Sequence, residues 1–116
     1  MTLPIRPATG ADHDALWTML EPAFRAGDTY TVDPDISRAD ALAFWTAPEK
    51  QVFLCGVPKP LGSYYLKPNQ AGGGAHVCNA GFVTHPDARG RGVASAMLAH
   101  ALTTARAAGF RAMQFN

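Results

Sequence analysis

The residues from Asn79 to Leu98 constrain the rest of the chain. They open as an apolar run of strand length, Asn79-Ala80-Gly81-Phe82-Val83-Thr84, and break at Pro86. A basic glycine-rich turn follows, Arg89-Gly90-Arg91-Gly92, and then Val93, Met97, Leu98, Ala101 and Leu102 recur at helical spacing. A strand, a glycine-rich turn and a helix start form an anion site by construction. The first N–H groups of a helix have no internal partner, and the helix dipole adds positive potential there. Glycines at 90 and 92 leave room for a phosphate to reach those amides, and Arg89 and Arg91 place fixed charge beside it.

The kind of phosphate ligand can be narrowed. A nucleoside-triphosphate loop needs Gly-Lys-Ser/Thr, which is absent. A dinucleotide fingerprint needs a third glycine or alanine where Ser95 stands, and an acidic residue about twenty positions on, where none occurs. What does fit is Arg-x-x-Gly-x-Ala, formed by Arg89, Gly92 and Ala94 directly after a strand. This resembles the acetyl-coenzyme A signature of the GNAT superfamily of N-acetyltransferases. The bland alternative is a basic surface turn that binds nothing.

Composition sets the outer bounds. A chain of 116 residues makes one domain, spanning 1–116, and 47% apolar with 16% charged residues suits a globular core. A net charge of +1 gives no general attraction to nucleic acid, and no apolar run or leader points to a membrane. Cys55 and Cys78 lack metal-ligand spacing and read as buried free thiols in a reducing cytoplasm. No metal is expected, since Asp12-His13-Asp14 lacks the i, i+4 spacing of a helical metal site.

Taken in order, Leu3 to Pro7 reads as an edge strand, where prolines cost least. Thr9 and Asp12 form a capping pair for an amphipathic helix carrying Leu16, Met19, Leu20 and Ala23. That helix ends near Gly27, with Pro22 predicting a kink or an early stop. Residues 28–36 form a loop, and Ser37 with Asp40 caps a second short helix stopped by Pro48. Gln51–Val57 and Leu61–Lys67 make a hairpin around Pro58-Lys59-Pro60, and Asn69–Ala75 is a flexible connection. Ala108-Gly109 stops the long helix, and Phe110–Phe115 starts a strand parallel to the one at 79–84 through a right-handed crossover.

The fold class is therefore α/β (α+β), with a mixed, mainly antiparallel sheet and one parallel strand-helix-strand unit. This order matches the acyl-CoA N-acyltransferase-like fold through its fifth strand, so the resemblance covers nearly the whole chain. The family continues with a further helix and strands, and this sequence stops at Asn116. The expectation is either a truncated product or completion by another chain or a second copy. An unpaired last strand would otherwise be an association hazard.

The resemblance implies transfer of acetyl from acetyl-CoA, as cosubstrate, to the amine of a small-molecule acceptor. It implies that Phe82, Val83 and Thr84 hold the pantetheine arm, and that Arg89, Gly90, Arg91, Gly92, Val93, Ala94 and Ser95 hold the pyrophosphate. The central strand has no carboxylate to act as base, and His76 and His85 flank it. Asn79, a polar residue in an apolar strand, and Asn116 are the catalytic candidates; together they resemble a subgroup acting on amino-acid-like amines. Asn79 satisfying backbone groups is the plain alternative. The family's acceptor wall falls here on Phe24, Arg25, Asp28, Thr29 and Tyr30, though Arg25 is equally explained by the helix dipole. Tyr64 and Tyr65 alternate faces and read as core or sheet surface, Trp17 and Trp45 read as core, and His13 and His100 as exposed. A non-catalytic acetyl-CoA-binding module is the second reading, and nucleic-acid binding through the Arg-Gly-Arg-Gly turn is the third.

Overall fold

The computed structural model describes residues 2–27, 30, 32–69, 76–88 and 90–115. Among the residues singled out above, Asp28, Thr29, Arg89, Asn116 and most of the connection at 69–75 lie outside them. Five strands form one sheet in the order β1-β2-β3-β4-β5: β1 Thr2–Pro7, β2 Gln51–Val57, β3 Gly62–Pro68, β4 Val77–Thr84 and β5 Ala112–Phe115. The first four are antiparallel neighbours, and β4 with β5 is the parallel pair. β1 lies at the edge, as its prolines require.

Helix α1, His13–Ala26, and α2, Arg38–Trp45, cover one face, and α3, Val93–Ala107, covers the other. The caps behave as their residue types dictate. The Thr9 side chain accepts from Ala11 N, while the Thr9 N–H donates to Asp12 Oδ2 at 2.7 Å. This box caps a short 3₁₀ turn, Gly10–Asp12, which leads into α1. Ser37 Oγ accepts from Asp40 N, and Gly27 ends α1 in the left-handed region at φ 73°.

Three expectations are corrected. Pro22 does not stop α1, which runs four residues further to Ala26. Its missing N–H costs the Thr18 carbonyl one partner, while Leu16, Met19, Leu20 and Phe24 remain buried along one stripe and hold the helix down. On α3, Leu98 and Leu102 are 39% and 44% exposed, and the buried stripe is Val93, Met97, Ala101 and Ala105. The cause lies on β3: a Cβ on Gly62 would come within 2.6 Å of Val93 Cγ1 and 2.9 Å of Met97 Cε, so these two side chains fill the space above that glycine. Finally, β5 begins at Ala112, and Phe110 packs beside the core as part of the turn.

The two cores meet at the sheet. Beneath α1 and α2 lie Phe24, Tyr30, Trp45, Leu54, Tyr65 and Val83; beneath α3 lie Cys55, Tyr64, Leu66, Cys78, Ala80 and Met97. Tyr64 and Tyr65 thus face opposite sides, and both are buried, as are the two free thiols. Trp45 is fully buried; its indole donates to Ser63 Oγ at 3.0 Å, and Ser63 donates to the Phe53 carbonyl at 2.8 Å. Trp17 is only partly buried, with the Arg25 guanidinium 5.5 Å above its ring.

Candidate functional site

The register of β4 decides which of its backbone groups can meet a ligand. Asn69 N donates to Val77 O and His85 N to Leu61 O, and the pairing between runs without a shift from Gly62↔Thr84 to Pro68↔Cys78. Odd-numbered residues of β4 are therefore bonded to β3, and Cys78, Ala80, Phe82 and Thr84 turn their N–H and C=O toward β5. Pairing with β5 extends only to Ala80↔Phe115 among the described residues. Phe82 and Thr84 thus present backbone beyond it, on the edge facing the crossover helix.

One of those groups is occupied. The Tyr30 hydroxyl donates to the Phe82 carbonyl at 2.7 Å, across 52 positions of sequence. Tyr30 is 8% exposed, and burial raises its pKa above the ordinary phenol value, so it stays a donor. Phe24 stands behind it, ring centroids 5.5 Å apart and edge-on, and is itself buried. Phe24 can act on this edge only through Tyr30.

Side chains alternate the other way. Phe82 packs on the α3 side, and Val83 belongs to the core under α1 and α2. Gly81 shares that second side, and a Cβ there would come within 2.4 Å of the Tyr65 ring. By the same alternation Asn79 faces the α1 and α2 side. Its Oδ1 is buried with no hydrogen-bond partner among the described residues. Buried acceptors are seldom left so, which sets Asn79 apart from the rest of β4.

At the C-terminal end of β4 the chain makes a short turn, Pro86–Ala88, in which Ala88 N donates to His85 O at 2.9 Å. His85 Nδ1 accepts from Asp87 N at 3.0 Å, which commits that ring nitrogen to the turn. Gly90 and Gly92 follow at φ 80° and 75°, both left-handed, and a Cβ on either would meet nothing within 4 Å. The glycines are thus demanded by backbone conformation, and the space over them is open. Gly92 caps α3 without any side-chain hydrogen bond. The amides that open α3 at Val93, Ala94 and Ser95 consequently have no side-chain cap; Ala94 and Ser95 are exposed, whereas the Val93 side chain is buried over Gly62.

A cleft of about 310 Å³ lies beside this end of the strand, lined by Met19, Pro22, Ala23, Thr84, His85 and Pro86. It adjoins the edge at Thr84 and is walled by α1. Arg25 points elsewhere: it donates to the carbonyls of Pro34 at 2.5 Å and Ile36 at 2.9 Å, tying the following loop to α1. His76 is exposed at the opposite end of β4, and His13 is exposed on α1. His100, expected in solvent, is engaged instead: Tyr64 Oη lies 2.5 Å and Thr104 Oγ1 3.2 Å from its Nδ1, and burial lowers its pKa. Among the described residues no cluster of metal-ligand side chains occurs, and no helix is long and apolar enough to cross a membrane.

The sequence reached the turn and Asn79 but missed the Tyr30 contact to the β4 edge. Only the long-range fold brings those two together. The geometry fits a phosphate at the start of α3 and an extended chain along β4.

Known proteins share this fold. A GCN5-related N-acetyltransferase from Kribbella flavida superposes with a TM-score of 0.89 at 35% identity, covering 99% of this chain and 71% of that one. The protein yncA of Salmonella typhimurium, solved with its cofactor acetyl-CoA, shares the fold at 19% identity and a TM-score of 0.81, with 97% of this chain and 68% of that chain covered. N-acetyltransferase aca1 of Schizosaccharomyces pombe is 28% identical over an alignment covering 78% of this chain and 51% of that protein, so the chain spans about half that relative's length. A model of the Acetyltransferase (GNAT) family matches residues 13–116, and the chain belongs to that family, whose members transfer acetyl from acetyl-CoA to amines.

Proposed function

We propose that this chain is an acetyl-CoA-dependent N-acetyltransferase domain acting on a small, amino-acid-like amine. The observation that carries this is the continuity of two features. The uncapped start of α3, opened by left-handed Gly90 and Gly92, adjoins the β4 edge at Phe82 and Thr84. A pyrophosphate fits the first and an amide-containing arm the second. Bound acetyl-CoA supplies an acetyl group already activated as a thioester.

The protein's own residues divide the remaining work. Gly90, Gly92, Val93, Ala94 and Ser95 offer backbone amides, with Arg89 and Arg91 as the basic residues of the motif. Hydrogen bonds to charged groups contribute about 1.5–3 kcal/mol each, so several such amides supply a large share of the binding energy of a micromolar complex, about 8 kcal/mol. The Phe82 N–H, on the edge facing the arm, polarises a carbonyl placed there, with Thr84 continuing the same track; Val83, its backbone turned to β3 and its side chain in the core, takes no part in it. Tyr30 holds the Phe82 carbonyl, one peptide unit on from that N–H, and so steadies this edge of β4; Phe24 supports Tyr30 from behind. Asn79 Oδ1 accepts from the acceptor amine and orients its lone pair, and Asn116 is assigned the same neighbourhood by its place after Phe115. As a neutral amide, Asn79 positions the amine rather than deprotonating it. The reading extends to a cytoplasmic setting, consistent with two free thiols, and to a homodimer.

Calorimetry with acetyl-CoA tests the donor site: micromolar binding is expected, and Gly92→Val should abolish it while circular dichroism stays unchanged. Unaltered affinity in that variant sinks the phosphate assignment. Thiol release on adding amino acids and small amines tests transfer. If binding persists and no amine elicits thiol, the chain is an acetyl-CoA-binding module. Asn79→Ala should raise the acceptor's KM without moving acetyl-CoA affinity; constants that both stay put leave Asn79 structural.

A further inference from the structure

Trp17, Glu21 and Arg25 recur at a spacing of four and so share one face of α1. The Arg25 guanidinium lies 5.5 Å over the Trp17 ring, and its Nη2 lies 3.7 Å from Glu21 Oε2, so its own helix aims it. Nη1 then donates to two main-chain carbonyls beyond the helix, Pro34 at 2.5 Å and Ile36 at 2.9 Å. Those carbonyls belong to a stiffened turn: Ile36 N donates to Asp33 O at 2.9 Å, and Asp35 N to Asp33 Oδ1 at 2.8 Å. Pro34 also abuts the helix end, since a Cβ on Gly27 would come within 3.3 Å of its Cγ. The chain that leaves α1 at Gly27 is thus brought back to it at Pro34. Tyr30 lies between these two points, with its hydroxyl on the Phe82 carbonyl at 2.7 Å.

We propose that Arg25 is a positioning residue for the acetyl donor, acting through Tyr30. By clasping the neck of this loop it keeps the Tyr30 hydroxyl on the β4 edge that takes the arm. The proposal rests on the donor reading of that edge given above.

The link is loop closure. A loop whose ends are already joined has lost much of the freedom that opposes docking of the residues between them. Opening the neck returns that freedom, and Tyr30 has a single polar bond to the strand to set against it. Its ring still meets Phe24, Trp45 and Phe44 edge-on, at 5.5, 5.7 and 6.4 Å, so the loss is graded rather than complete. A ligand that needs the docked form binds more weakly in proportion to the docked fraction. Arg25 itself touches no part of the donor edge, because its Nη1 is taken up by the two carbonyls.

Calorimetry with acetyl-CoA on the full chain, as wild type, Arg25→Met, Tyr30→Phe and the double variant, tests this. Arg25→Met should weaken binding about three- to tenfold, and the double variant should bind no more weakly than the weaker single one. Unchanged affinity in Arg25→Met, or losses that multiply in the double variant, overturns the role. Arg25→Lys, whose ammonium can still donate to carbonyls, should recover part of the affinity; no recovery would overturn hydrogen bonding to the turn as the cause. Hydrogen exchange without ligand gives a second readout: Arg25→Met should speed exchange in the peptide carrying Asp35 and Ile36. A change confined to α1 would mean that Arg25 serves only its own helix, and would overturn the clasp. The two readings fail separately. Wild type that binds no acetyl-CoA overturns the donor reading and this role with it, whereas equal binding by wild type and Arg25→Met overturns this role alone.

Discussion

On the α3 side of the sheet, Phe53, Tyr64, Phe82 and Phe115 cross four neighbouring strands with ring centroids 5.0, 5.5 and 6.0 Å apart and tilts of 19° to 34°. On the α1 and α2 side, Phe24, Tyr30, Phe44, Trp45 and Tyr65 meet edge-on, at 70° to 87°. The first pattern follows from strand pairing: Phe53 is the register partner of Tyr64, and Tyr64 of Phe82. From α3, His100 lies against Phe53 and Tyr64, with ring centroids 5.1 and 5.8 Å apart. The second requires two helices and a loop to deliver rings at right angles, and so depends on tertiary docking. One face is ordered by the sheet, the other by what lands on it. β4 belongs to both, which is why the candidate site sits there.

The largest test of this contrast is Trp45→Ala. It opens a cavity among the edge-on rings and leaves Ser63 without its indole donor, so about 3–5 kcal/mol should be lost in urea denaturation. A loss under about 1 kcal/mol would mean that the helices are not held as argued. Next comes Gly62→Val on the opposite face, where a Cβ runs into Val93 and Met97; about 1–3 kcal/mol is expected, together with weaker acetyl-CoA binding as α3 is pushed outward. Normal affinity in that variant would uncouple the helix seat from the turn.

Tyr30→Phe is smaller, about 0.5–1.5 kcal/mol, because the ring stays packed and only the bond to the Phe82 carbonyl is lost. A neutral effect on both stability and acetyl-CoA affinity would demote Tyr30 to a packing residue. The smallest effect is a pH dependence. Burial lowers the His100 pKa, so the fold binds fewer protons there than the unfolded chain. Its contribution is complete above about pH 6.5 and fades as pH falls through the lower, folded value. His100→Gln should erase that slope alone. A separate acid step should remain between about pH 4 and 2, from Asp12, held at a pKa of about 2 mainly by its two hydrogen bonds from Arg6. A single unaltered acid transition in His100→Gln would sink the His100 assignment.

Much of this was legible before any coordinates. Caps at Thr9 and Ser37, the left-handed stop at Gly27 and the span of β2 depend on neighbours within a few residues, and each is as its residue types require. The glycine turn was legible for the same reason, since positive φ at positions 90 and 92 is a local demand. Leu98 and Leu102 misled because helical spacing marks an apolar stripe without saying which part of it meets the sheet; a glycine on β3 decides that. Arg25, His100 and Tyr30 find partners 9 to 52 positions away, at distances in sequence where no local rule operates. Asn79 stands between these cases: its polarity in an apolar strand drew attention, and its orphaned oxygen gives that attention a physical basis.

The seat of α3 over Gly62 also has a mechanical consequence. Val93 is the first residue of the helix after the glycine turn, and it rests on the strand at the centre of the sheet. A ligand that tightens the turn therefore loads β3 through Val93, with Met97 seated beside it, and by linkage the occupied turn should slow hydrogen exchange in β3 and β4 more than in β1. The anion site and the middle of the sheet would then open as one cooperative unit, with the coenzyme acting as a clamp on the fold that holds it.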